Sequence, residues 1–199
     1  MQYFLAVSIH KIFSIYIRNQ RKMKNLGIVI LISLLLGACN GNSKTDDTNK
    51  YSRTIVEQAN EMGQLLMEKD FRSFARFTYP KIIEMMGGLE NMVAIMEKGM
   101  VEMESDGTKF LNVTFGEPTA VIKAGNELQC TLSQTISMKV PEGRIVAKST
   151  MIAISVDGGT NWFFIDTSGK DIQTLRSSIP DLSMDLLIPE AEQPVFYKD

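Results

Sequence analysis

The chain has 199 residues, with 21 Lys plus Arg against 23 Asp plus Glu, a formal net charge of −2, two cysteines and one histidine. That histidine, His10, precedes every segment with a core-forming pattern, so a domain built from the rest has none. Ser-His-Asp and Cys-His catalysis, histidine metal sites and histidine general bases are thereby excluded, leaving acid-base chemistry to carboxylates, tyrosine or lysine.

Arg21, Lys22 and Lys24 lead into an apolar run from Leu26 to Leu36, which closes on Leu36-Gly37-Ala38-Cys39. Basic residues, a short apolar stretch and small residues before a processing point are the layout of a secretory signal. The run falls short of the roughly twenty apolar residues that span a bilayer. With cysteine at the cleavage point, the segment resembles a bacterial lipoprotein signal, which implies cleavage before Cys39 and lipidation of that residue. Met23 is a sufficient start for such a signal. The expected organisation is a signal over 1–38, a lipidated flexible tether over 39–50, and a single domain over 51–199. The expected location is the bacterial cell envelope, lipid-anchored at the outer membrane, with the side of that membrane left open. The expected membrane contact is through acyl chains on Cys39, where one chain alone binds marginally and several hold firmly.

Five basic residues precede Cys39, leaving sixteen Lys plus Arg against 23 acids after it. A net charge of about −7 argues against nucleic acid or an anionic membrane face as partner. With Cys39 lipidated, Cys130 is the only remaining thiol, so no intramolecular disulfide forms, and such a thiol is best tolerated buried.

Asn40 to Lys50 has no apolar residue and reads as a tether. Its Asp46-Asp47 resembles the acidic export signal of some surface-exposed lipoproteins. From Ser52, Ile55, Ala59, Met62 and Leu66 recur at helical spacing, predicting an amphipathic helix that ends near Lys69. Asp70 is placed to cap a short helix through Phe71, Phe74 and Phe77, stopped at Tyr79-Pro80. A turn of helix follows from Lys81 to Met86, and Leu89 to Glu104 forms another helix with a stripe of Met92, Met96, Met100 and Met103. After Gly107 the period changes to two. Strands are predicted over Phe110 to Phe115, Thr119 to Lys123, Leu128 to Val140, Ile145 to Val156 and Trp162 to Asp166. A last helix is predicted over Lys170 to Ser178, then a tail with Pro180, Pro189 and Pro194.

Helices followed by a four- or five-stranded meander specify an α+β domain, with N-terminal helices packed on one face of a curved antiparallel sheet. Over Tyr51 to Ser168, ending in Asn161-Trp162-Phe163-Phe164-Ile165-Asp166, the arrangement resembles the nuclear transport factor 2-like, or cystatin-like, superfamily. It looks like the small lipoproteins of unknown role in Bacteroidetes-like bacteria. The resemblance implies a cup between helices and sheet, where enzymes of the superfamily, dehydratases and isomerases among them, do their chemistry.

Ser155-Val156-Asp157-Gly158-Gly159-Thr160-Asn161-Trp162 fits the Ser-x-Asp-x-Gly-x-x-Trp pattern of an Asp box, a structural hairpin; a single copy excludes a propeller. The methionine stripe reads as core packing in preference to a soft-metal site. No cofactor or metal is expected. The only catalytic pair worth testing is Asp166 with Tyr79. If the hairpin turn pairs Val140 with Ile145, then Cys130, Leu132, Ile136, Met138, Ala147, Met151 and Ala153 share the cup-lining face. Ile152, Ile154 and Val156 then form an apolar outer face, to be covered by a homodimer or protein partner, or by the tail through Val195, Phe196 and Tyr197. Three functions follow as expectations: a non-catalytic domain binding a small hydrophobic ligand or a protein partner, a histidine-free dehydratase- or isomerase-type enzyme, and a docking subunit of an envelope complex using the outer face or an open strand edge.

Overall fold

The computed structural model describes residues 46–199. The signal, Met23, Cys39 and the first part of the tether lie outside the described residues. Helix α1, Asp46–Glu68, begins six residues before the helix expected from Ser52, so 46–50, expected as part of the flexible tether, is helical. Its stripe of Ile55, Ala59, Met62 and Leu66 is buried. The helix stops at Lys69, whose φ of 62° takes the chain out of the helical region, and the Asp70 N–H donates back to the Leu65 carbonyl at 3.0 Å. Asp70 then accepts from the Ser73 N–H at 3.0 Å, capping the four-residue helix α2, Phe71–Phe74. A 3-10 turn, Ala75–Phe77, completes that segment.

At this point the chain changes sides. Thr78 makes a parallel bridge to Phe164, and the Tyr79 N–H donates to the Phe164 carbonyl at 3.4 Å, so the segment runs along the sheet edge. Pro80 opens helix α3, Pro80–Met85, where its missing N–H costs nothing. Helix α4, Leu89–Ser105, follows and buries Met92, Met96, Met100 and Met103.

The sheet is antiparallel, curved and unclosed, with six strands: β1, Lys109–Phe115; β2, Ile122–Ala124; β3, Glu127–Val140; β4, Gly143–Ser155; β5, Phe163–Asp166; and β6, Val195–Lys198. The order is β1-β3-β4-β5, with β2 also paired to β3 and β6 to β4. Helix α5, Ile172–Arg176, lies between β5 and β6. The long hairpin runs from Leu128 opposite Ser155 to Val140 opposite Gly143. Val140 was expected opposite Ile145, so the true register differs by two residues. A shift of two preserves which side chains share a face, and the expected parity survives the error. Gly143, at φ 152°, sits where a Cβ would strike the Tyr197 carbonyl of β6.

The sheet separates two clusters. Helices α1, α2 and α4 pack on one face with Leu132, Met138, Met151, Trp162 and Phe164. The other face, Ile152, Ile154 and Ile165, is covered by Tyr79, Ile82, Leu175, Ile179, Leu182 and Leu186. The tail after α5 is therefore a second packing layer, and each Leu or Ile fully buried there contributes about 2 kcal/mol relative to exposure. Among the described residues no helix is long and apolar enough to cross a membrane.

Candidate functional site

On the helix side, Cys130, Leu132, Ile136, Met138, Ala147, Met151 and Ala153 are all buried. All but Ala147 belong to the cluster that includes the α1 stripe and the methionines of α4. The small residues that were expected to line a cup thus sit beneath packed helices. Burial pushes the Cys130 thiol up to about 12, so the sulfur is held as an unreactive thiol.

Tyr79 and Asp166 do not meet. Side chains alternate along a strand, and Asp166, opposite Met151, shares the helix-side face, while Tyr79 packs in the outer cluster with its ring 6.4 Å from that of Phe163. The Tyr79 hydroxyl donates to Glu127 Oε1 at 2.9 Å, and burial, then Glu127, pushes its pKa up to about 12. Asp166 accepts from the Ser168 N–H at 2.7 Å, ordering the turn after β5. The expected catalytic pair is corrected: the sheet lies between its members. Periodicity missed this because the crossing at Thr78 is a tertiary event.

Polar groups on the outer face clamp the C-terminal layer. Gln129, fully buried, donates to Glu127 Oε2 at 2.8 Å and to the Asp181 carbonyl at 3.1 Å, and accepts from the Ser183 N–H at 2.8 Å. The Thr131 hydroxyl donates to the Leu187 carbonyl at 2.9 Å. Within the layer itself, Arg176 donates to the Leu182 carbonyl. Ile152 and Ile154 are therefore covered by Ile179, Leu182 and their neighbours. The expected cover through Val195, Phe196 and Tyr197 is corrected, since those residues form β6, with Phe196 packed on the helix-side core and Val195 and Tyr197 exposed. Val156, placed with the outer apolar face in the sequence reading, lies beyond the strand end and is exposed.

The Asp box is a closed structural turn. Asp157 accepts from the backbone N–H groups of Thr160 and Asn161 at 3.1 and 3.0 Å, from the Asn161 amide at 2.6 Å and from the Ser155 hydroxyl at 2.9 Å. Trp162, 1% exposed, donates from its ring nitrogen to the Gly159 carbonyl and lies edge-on to Tyr51. Gly159, at φ 95°, leaves room for the Tyr51 ring, which a Cβ would strike. Hydrogen bonds from Asn161, backbone first and side chain second, pull the Asp157 carboxyl down to about 2. A depressed folded-state pKa contributes stability that is complete above the ordinary carboxyl range and fades as pH falls toward about 2. Asp157→Ala is therefore expected to melt below the parent near neutral pH, with the gap closing between about pH 4 and about pH 2. Melting curves across that range check it, and a gap that is constant with pH would place the effect elsewhere.

The chain matches no known family model, no curated protein and no solved structure. Local chemistry therefore has to identify the site, and it points to the part of the outer face that the C-terminal layer leaves open. Across the turn end of the sheet, Lys109 pairs with Lys139, Lys139 with Arg144 and Arg144 with Tyr197, placing three cations and an aromatic ring in one exposed row. The Arg144 guanidinium lies 4.8 Å from the centre of the Tyr197 ring. Lys139 reaches Asp199 at 3.3 Å, whereas Lys109 and Arg144 have no carboxylate partner among the described residues. Sequence reasoning missed the row because its members come from four strands and meet only through register.

Proposed function

We propose that this chain is a lipid-anchored cell-envelope protein whose domain is a non-catalytic binding module. Its architecture, helices on one face of a curved antiparallel sheet, supports a divergent nuclear transport factor 2-like or cystatin-like cone. The observation that carries the non-catalytic reading is the separation of Tyr79 and Asp166 by the sheet, with each group engaged in the fold. Packing of the expected cup-lining residues against α1 and α4 favours a partner on the outside over a small hydrophobic ligand within. The uncovered turn end of the outer face is the binding surface in this reading, with the C-terminal layer already occupying the apolar part beside it.

The anchor is tested at Cys39. Cys39→Ala is expected to move the protein from the membrane fraction to the soluble fraction. Unchanged membrane association after alkaline washing would refute lipid anchoring through this residue.

A further inference from the structure

Residues 179–187 lie on the outer face as a ligand lies in a groove. Ile179, Leu182 and Leu186 pack on Ile152, Ile154 and Ile165 of the sheet, with Ile82 of α3 in the same cluster. Between these apolar contacts the sheet holds the main chain of the segment at three points. Gln129 donates to the Asp181 carbonyl and accepts from the Ser183 N–H, and Thr131 donates to the Leu187 carbonyl. Both side chains stand on β3 and are buried. None of these contacts requires the segment to arrive from the same chain; they require its apolar spacing and its main-chain groups.

The connection from β5 into this piece is a tight turn, Thr167 to Lys170, closed by the Lys170 N–H donating to the Thr167 carbonyl at 3.0 Å. Both central residues are left-handed, Ser168 at φ 52° and Gly169 at φ 69°. Glycine takes that conformation freely, whereas a residue with a Cβ does not. Ser168 is therefore held in a disfavoured conformation that an opened, extended connection releases. Gly169 is also crowded, since a Cβ there would lie 2.9 Å from the Ala191 Cβ. The piece beyond the turn is terminal and returns to the sheet through the four residue pairs of β6. A short, strained hinge joined to a well-packed terminal piece is the condition for exchange between identical chains, because every contact is remade and only the hinge changes.

We propose that two copies of this chain exchange residues 171–199, each laying its α5, C-terminal layer and β6 on the other's sheet. The groove selects a second copy as the partner because the occupant it fits is on view: another copy carries the same residues at the same spacing, with the same main-chain groups opposite Gln129 and Thr131. The exchange also changes who builds the turn end of the outer face. Tyr197 lies on Arg144 and Asp199 on Lys139, so in the exchanged pair that row is completed by the other chain.

The test refolds the full chain at high and at low concentration in a non-ionic detergent, with micelles in excess, and measures its mass by sedimentation. A dimer that forms at high concentration and persists on dilution is expected, because undoing it withdraws the buried anchors. Ser168→Gly relaxes the closed turn and should lower the dimerisation constant about tenfold, whereas Gly169→Val, disfavoured at positive φ and pressed against Ala191, should raise it about tenfold. If Gly169→Val does not fold, Ser168→Gly and a crosslink carry the test. Lys148 and Glu192 form an exposed ion pair at 3.3 Å. Chains carrying Lys148→Cys and chains carrying Glu192→Cys are mixed in denaturant, refolded together and treated with a short bis-maleimide. The two chains should be joined to each other, since within one chain only one of the two thiols is present. A chain that stays monomeric at every concentration, hinge variants that both dimerise as the parent does, or a dimer that gives no such crosslink would overturn the proposal.

Discussion

Leu182→Asp is expected to release the C-terminal layer from the sheet while the helix-side core remains folded. Leu182 is 0% exposed and packs with Ile179 and Leu175 over Ile152, Ile154 and Ile165. A carboxylate there is set among apolar side chains and loses the leucine contacts, and truncating a buried leucine alone costs about 2–5 kcal/mol. Detaching the segment is the cheaper response, because its attachments are those leucines and isoleucines and a few hydrogen bonds with Gln129 and Thr131. Limited proteolysis should then cut within residues 172–190, and the bared isoleucines should bind a hydrophobic dye or pair with a second copy. Protection equal to the parent's would show that the layer is held by something other than this packing.

Trp162→Ala is expected to be the most destabilising single truncation, at about 3–5 kcal/mol. Trp162 is buried between the Asp box and α1: its backbone N–H donates to Gln58 Oε1 at 2.8 Å, and Gln58 donates to the Thr160 carbonyl at 2.9 Å. The substitution therefore opens a cavity and loosens the joint between α1 and the β4–β5 hairpin together. For a domain of this size the melting temperature should fall by about 10 °C or more. Trp162→Phe keeps most of the volume and loses only the ring donor to Gly159, so calorimetry should place it between the two. A fall of the same size for both would locate the stability in that hydrogen bond and not in the packing.

How much of this was legible depends on the range of the interaction. The stripes of α1 and α4, the Asp70 cap, the helix stop before Tyr79-Pro80 and the Asp box turn arise within a few residues of chain, and each is present in the folded domain. Alternation along β3 and β4 assigned their faces although the turn register was wrong by two, since parity is insensitive to an even shift. β6 carries only four residues with no strong alternation of its own and exists through pairing with Gly143 to Val146. Apolar residues of the tail, Ile179, Leu182 and Leu186, continue the four-three-four spacing from Leu175, but Pro180 prevents the helix that such spacing would otherwise predict, so their role as a layer was hidden.

Sequence by itself determined the fold class, the faces of the central hairpin, the structural character of the Asp box and the absence of histidine after His10, because each depends on residue type or on contacts close along the chain. Tertiary structure decided the crossing of Thr78-Tyr79 to the outer face, the separation of Tyr79 from Asp166, the covering of the isoleucines and the alignment of Lys109, Lys139 and Arg144. These depend on the register and edge pairing of strands distant in sequence, where a side chain's neighbours are set by the partner strand and not by its own.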